Sequence, residues 1–163
     1  MDRFVNENYS FRFATINDMD LIIDFITKLA KSKDKMHKLD LNEETLKYWI
    51  FDRHLANVFF LINDNKEVGF ALYSFNFSIF KGKGSIFLED IYILKDYRNQ
   101  GYGKIMLQKL CQIAKRNKLN KIEWTCPKNN EECVKFFKSI GAREINKKRI
   151  FRLEDQNLEA LML

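Results

Sequence analysis

Proline occurs once in the 163 residues, glycine six times, histidine twice and cysteine three times. Each scarcity excludes something. So little Pro and Gly leaves no composition for a flexible linker. Cys111, Cys126 and Cys133 show no CxxC spacing, and His37 and His54 lie far from them, so no metal centre is expected. The odd, irregular cysteine count also argues against a disulfide scaffold and for free thiols in a reducing compartment. No apolar run approaches the roughly 20 residues that span a bilayer. Met1-Asp2-Arg3-Phe4 opens no basic, then apolar, secretory leader. The expectation is a soluble cytoplasmic protein with no membrane partner.

What is present is ample core material: 46% hydrophobic residues, 14% aromatic, and 15 Phe. The length and the absence of linkers predict one domain over residues 1–163. A net charge of +6 permits an anionic partner, but nothing beyond that charge favours nucleic acid, and no nucleic-acid partner is expected.

Tyr9, Phe11 and Phe13 alternate with polar residues and predict a half-buried strand. Thr15 and Asp18 stand at capping-box spacing ahead of Met19, Ile22, Ile23, Ile26, Leu29 and Ala30, a helical stripe. Asn42 caps a second helix with Leu46, Trp49 and Ile50 inward. Residues 58–62 and 67–77 read as a hairpin around Asn63-Asp64-Asn65. A loop at 81–84 precedes a strand over 86–93. Residues 98–103 then open a helix with Ile105, Met106, Leu107, Leu110, Ile113 and Ala114 inward. A strand at 121–126, a helix at 130–139 stopped by Gly141, a strand from Arg149 to Leu153 and a short helix near 156–163 complete the chain. The order β-α-α-β-β-β-α-β-α-β predicts a mixed α/β (α+β) sheet with helices on both faces.

The strongest chemical signal is Arg98-Asn99-Gln100-Gly101-Tyr102-Gly103 between a strand and a helix. Such a loop aims free backbone N–H groups at one point, where the helix dipole adds positive charge. The glycines let a pyrophosphate approach the backbone, and Arg98 and Lys104 flank it. The P-loop and dinucleotide patterns both fail on spacing.

This RxxGxG loop resembles the acetyl-CoA loop of the GNAT N-acetyltransferases. So do Arg12-Phe13-Ala14-Thr15, Val68-Gly69-Phe70-Ala71, Leu88-Glu89-Asp90 and Phe136-Phe137-Lys138-Ser139-Ile140-Gly141-Ala142, over about residues 9–154. The chain is similar to the diamine (spermidine/spermine and thialysine) subfamily. The resemblance implies the GNAT fold, acetyl-CoA as cosubstrate, a primary amine as acceptor and a homodimer. It assigns the pantetheine arm to the backbone of Ile91, Tyr92 and Ile93. The pyrophosphate falls to Arg98, Asn99, Gln100, Gly101, Tyr102, Gly103 and Lys104. Further coenzyme contacts fall to Asn130, Cys133 and Phe137, and acceptor contacts to Glu89, Glu123, Trp124 and Thr125.

An alkyl ammonium, with a pKa near ~10.4, must lose a proton before it attacks a thioester. Glu89 and Asp90 are the catalytic candidates. Alternation along a strand predicts that they point to opposite faces, and the resemblance favours Glu89 as the water-linked base. Two departures stand out. Phe137 occupies the position of a tyrosine that protonates the leaving thiolate. Either the thiolate leaves unaided, or Tyr102, Cys133 or Ser139 substitutes, or the chain is a weak or inactive acetyl-CoA-binding module. Lys33 and Arg149, the latter within Lys147-Lys148-Arg149, stand where polyamine enzymes carry acids. They point to an amino acid or analogue whose carboxylate meets one of them.

Overall fold

The computed structural model describes residues 8–146, 149–154 and 156–162; Lys147 and Lys148 lie outside the described residues. The chain divides into two compact units between Thr125 and Cys126.

The first unit is a five-stranded sheet in sequential order. Its strands are β1 (Tyr9–Phe13), β2 (Asn57–Asn63), β3 (Lys66–Ser78), β4 (Lys83–Ile93) and β5 (Ile122–Trp124). The first four pair antiparallel. β4 and β5 pair parallel, because α3 (Tyr102–Arg116) supplies the crossover that a parallel pair requires. The β2–β3 turn is a tight hairpin in which Asp64 and Asn65 both take positive φ, 48° and 61°. Asn and Asp tolerate that geometry best after glycine.

Both faces of the sheet are covered. Phe59, Phe60 and Leu61 are completely buried although successive side chains face opposite sides. On one face lies α1 (Met19–Ser32), with Met19, Ile22 and Phe25 packed among Ile50, Val58, Phe60 and Phe70. The Phe25 ring stacks on Phe70 at 5.6 Å, and the Tyr92 ring lies 6.3 Å away. Phe25 is the central residue of this core, and the predicted stripe omits it. On the other face Phe59 meets Phe11 edge-on, and Lys109 of α3 lies over Phe11. Every residue of the predicted inward stripe of α3 is buried.

The second helix departs from expectation. α2 (Glu43–Lys47), capped by Asn42, runs into a wide turn over Tyr48–Asp52. There Arg53 N–H bonds to the Tyr48 carbonyl, five residues back, at 2.8 Å. The extra residue per turn shifts the phase, so Ile50 is buried while Trp49 stays 44% exposed instead of facing inward.

The second unit holds α4 (Glu131–Ser139) and α5 (Gln156–Ala160). Gly141 stops α4 at φ +88°, with Ala142 N–H on the Phe137 carbonyl and Gly141 N–H on that of Lys138. The strand expected over Arg149 to Leu153 is not formed. No described strand pairs with that segment, Ile150 and Phe151 are more than four-fifths exposed, and a strand without a ladder leaves its backbone groups unsatisfied.

Arg12 of β1 anchors the entry to α1. Its guanidinium reaches Asp18 at 2.8 and 2.9 Å and Glu67 of β3 at 2.8 and 2.9 Å. Asp18 also accepts from the Thr15 N–H and hydroxyl, the return half of the predicted capping box. The Arg12 side chain, with the two Thr15 bonds, holds the Asp18 carboxyl at about 2, below its ordinary 3.8. That difference is worth about 2 kcal/mol, present above pH 3.8 and lost as pH falls toward 2. Asp18→Ala should therefore lower unfolding free energy by about 2–3 kcal/mol near neutrality, its cap included. The gap to the parent should narrow in acid unfolding curves. A gap independent of pH would show that the ion pair is not its source.

Candidate active site

At the middle of β4 the ladder slips. Leu72 pairs with Asp90 and Tyr73 with Leu88, which leaves Glu89 as the extra residue of a bulge. A bulge re-aims side chains, so the simple alternation expected for Glu89 and Asp90 does not carry through this point. The two carboxylates feel each other. Partial desolvation, and then the Asp90 charge, raise the Glu89 carboxyl above its ordinary value. Asp90 is ion-paired with Lys33, the residue that closes α1. Around the bulge in β4 stand two carboxylates, Glu89 and Asp90, and the Lys33 ammonium.

β5 accompanies β4 only as far as the Leu88–Trp124 pair, one residue before the bulge. From Asp90 to Ile93, β4 has no strand on that side among the described residues. An edge without a ladder partner is the arrangement that an extended ligand completes. The Ile93 carbonyl accepts from Arg98 Nε at 3.0 Å, and the Arg98 guanidinium lies 5.1 Å from the centre of the Tyr92 ring. Glu123 on β5 is exposed and ion-paired with Lys121 at 2.6 Å. Trp124 is half-buried and Thr125 exposed.

The loop that follows β4 turns on two left-handed residues, Asn99 at φ 58° and Gly101 at φ 86°. Gln100 Nε2 holds the Asp96 carbonyl at 3.0 Å. The first helical bond of α3 runs from Ile105 N–H to the Gly101 carbonyl. The amides of Tyr102, Gly103 and Lys104 therefore precede the ladder. No acid stands in this first turn, and Arg98, Asn99, Gln100, Gly101 and Lys104 are exposed. At Gly103 a side chain would meet nothing within 4 Å, so the glycine keeps clear the space in front of the amides. Cationic, amide-rich and unobstructed, the donor set fits a pyrophosphate.

The Tyr102 side chain points the other way. Buried at 2% exposure, its hydroxyl donates to Asn63 Oδ1 at 3.0 Å. Among the expected substitutes for the missing tyrosine acid, Tyr102 is thus committed elsewhere, and Ser139 donates to the Phe136 carbonyl at 2.7 Å. Asn130, Cys133 and Phe137 all belong to α4 or its cap in the second unit. There Asn130 Oδ1 accepts the Cys133 N–H at 3.2 Å, and the Phe136 and Phe137 rings lie 5.5 Å apart. Cys133 and Phe137 are half-buried. Arg149, in the same unit, is exposed. Among the described residues no group of His, Cys, Asp and Glu could hold a metal, and no helix is long and apolar enough to cross a membrane.

A mixed sheet whose parallel edge opens beside a bulged acid, followed by an anion loop and helix, defines an acyl-coenzyme A transferase framework. The sequence profile of the Acetyltransferase (GNAT) family matches residues 23–142, and the chain belongs to that family. It is an acetyltransferase, and the family transfers acetyl from acetyl-CoA to amines. The chain is 27% identical over 165 residues to a thialysine N-epsilon-acetyltransferase of Mus musculus, spanning 92% of this chain and 95% of that protein. It is 29% identical over 100 residues to an L-ornithine N5-acetyltransferase of Arabidopsis thaliana. That second match covers 61% of this chain but only 44% of the plant enzyme's length. Among solved structures, an integron cassette protein of V. cholerae superposes with a TM-score of 0.78 at 25% identity, covering 96% of this chain and 98% of its own. An aminoglycoside acetyltransferase from a soil metagenomic sample shares the fold, with a TM-score of 0.79 at 16% identity over 93% of this chain and all of its own.

The Lys33–Asp90 and Asn63–Tyr102 contacts join residues 57 and 39 positions apart. No spacing pattern signals either.

Proposed function

We propose that this acetyltransferase acetylates the primary amine of a small acceptor that also carries a negative charge, an amino acid or close analogue, by direct attack with Glu89 as base. The observation that carries the proposal is the Lys33–Asp90 pair beside the bulged Glu89. Two carboxylates and one ammonium sum to a single negative charge, enough to attract one ammonium. The remaining ammonium groups of a polyamine would meet Lys33, where like charge repels them. An acceptor carboxylate can share the Lys33 ammonium with Asp90, which a further ammonium group cannot. The relatives named above act on ornithine and thialysine, which fits this charge pattern.

Acetyl-CoA supplies the activated acetyl group. The amides of residues 102–104, with Arg98 and Lys104, hold its phosphates, and the open edge at Ile91, Tyr92 and Ile93 takes the amide-bearing arm. Gly101 shapes the turn between Asn99 and Gln100 on one side and the helix on the other. Glu89, its proton affinity raised by its surroundings, draws the proton from the acceptor ammonium, directly or through water. Asp90, held by Lys33, orients the incoming cation. Glu123, Trp124 and Thr125 contribute to the acceptor wall, and Asn130, Cys133 and Phe137 to the coenzyme. The thiolate leaves without an acid from Phe137, Tyr102 or Ser139. Phe137 has no proton to give, and the Tyr102 and Ser139 hydroxyls already donate elsewhere. A cytoplasmic homodimer completes the proposal, with exposed Leu158, Leu161 and Met162 as the apolar surface for a second copy.

A thiol-release screen tests the acceptor assignment. Thialysine and ornithine should exceed spermine in kcat/KM by about tenfold or more, the effect of about 1.4 kcal/mol of repulsion. Lys33→Glu should narrow or reverse that ratio. A parent enzyme that prefers spermine, or a ratio that Lys33→Glu leaves untouched, would remove Lys33 from acceptor selection. Coenzyme binding without thiol release for any amine would instead favour a binding module.

A further inference from the structure

The coenzyme loop has a support that its own residues do not supply. Tyr102 is the lone side chain between Gly101 and Gly103, and it is driven inward while the amides around it face out. Its hydroxyl donates to Asn63 Oδ1 at 3.0 Å, and Asn63, at 6% exposure, is the last residue of β2. Asn63 is itself fixed. It pairs with Tyr9 and with Lys66 across the sheet, stands at the head of the tight Asp64-Asn65 turn, and donates through Nδ2 to Asp64 Oδ2 at 3.2 Å. A second link runs parallel to the first. The Lys66 ammonium lies 5.7 Å from the centre of the Tyr97 ring, and that ring lies 6.4 Å from the Tyr102 ring.

We propose that Asn63 is a positioning residue for the coenzyme. Its side-chain oxygen holds Tyr102, and through Tyr102 it fixes the direction in which the first amides of α3 point. This role rests on the assignment of that loop to acetyl-CoA. Two glycines give the turn its freedom, and that freedom must be lost each time a phosphate is bound. A buried hydrogen bond to a sheet residue removes it in advance. Without the bond the amides sample other directions, and only a fraction of the population is ready to bind. Asn63 touches no ligand in this arrangement.

The decisive experiment separates aim from stability. Asn63→Leu alone leaves the Tyr102 hydroxyl buried and unsatisfied, and Tyr102→Phe alone leaves the Asn63 oxygen so. Each single variant loses stability as well as the tether. The double variant Asn63→Leu/Tyr102→Phe removes both polar partners, which restores much of the stability but not the tether. Calorimetric titration with coenzyme A should show Kd raised about five- to tenfold in the double variant, matching the net worth of one hydrogen bond. Its unfolding midpoint should lie closer to the parent's than that of either single variant. A double variant that binds coenzyme A as tightly as the parent would overturn the positioning role and leave the bond purely structural. If the double variant does not fold, Tyr102→Phe, which deletes one oxygen, carries the same test: unchanged Kd overturns the proposal. A parent protein that binds no coenzyme A would sink the loop assignment itself, a result distinct from either.

Discussion

Glu89→Gln should lower kcat by about 10²–10³-fold while coenzyme A affinity stays within about twofold of the parent, because general-base assistance is typically worth 10²–10⁴ and the glutamine keeps the shape of the bulge. The side chain stands where β4 slips by one residue, beside Asp90 and its Lys33 partner. Desolvation and the neighbouring carboxylate raise its proton affinity, which makes it the better base for an ammonium at neutral pH. The same physics predicts the pH profile. As the proposed base, Glu89 is competent only when deprotonated, so the acidic limb of kcat/KM should lie above the ordinary glutamate value of 4.5. Asp90→Asn removes the charge that helps raise it, and the limb should move to lower pH. Lys33→Met leaves Asp90 uncompensated, and the limb should move to higher pH. An unaltered rate in Glu89→Gln would end the base assignment. A limb indifferent to both neighbours would show that it reports another group.

Local features of the chain were legible where a local cause makes them. The stripe of α3 follows the helical period and is buried throughout. Asn63-Asp64-Asn65 turns a hairpin because two of its residues accept positive φ. Asn42 and Asn130 each cap a helix by accepting an amide, from Thr45 and Cys133. The glycine loop opens α3 as its spacing implies. What pattern reading misses depends on pairing between distant segments. The bulge at Glu89 exists only because β3 and β4 are in a particular register, which no property of β4 alone declares. Phe25 stands outside the stripe read from the sequence, yet it fills the space under Phe60 and Phe70 once β2 and β3 are side by side. Arg149 to Leu153 has a strand's composition but, among the described residues, no partner to complete a ladder, so composition misleads there. Lys33 was legible as a basic residue in a place of interest. Its engagement with Asp90 follows only from the packing of α1 on the sheet.

Gly101→Val should raise the Kd for coenzyme A by about a hundredfold or more, the largest binding effect expected of any single change in the loop. Two costs combine. Gly101 holds φ at 86°, a left-handed geometry in which a β-branched residue is an outlier, and forcing an L-residue there costs roughly 1–2 kcal/mol. The turn relaxes by rotating the peptide that leads into α3, which turns the amides of residues 102–104 away from their common point. The new side chain would also stand where the phosphates are proposed to bind, in front of otherwise bare backbone. Backbone strain and lost binding can be told apart with Gly82, which turns the β3–β4 hairpin at φ 56° with nothing within 4 Å of an added Cβ. Gly82→Val carries a comparable strain at the far end of the same strand, and it should lower the unfolding midpoint while leaving coenzyme A affinity unchanged. Gly103→Ala completes the comparison. Its Cβ meets no protein atom within 4 Å, so stability should hold, yet it narrows the space before the amides and should weaken the coenzyme by a smaller factor. Normal affinity in Gly101→Val, with the fold intact, would mean that the phosphates bind somewhere other than this turn. The coenzyme assignment of residues 98–104 would then have to be abandoned, along with the positioning role drawn for Asn63.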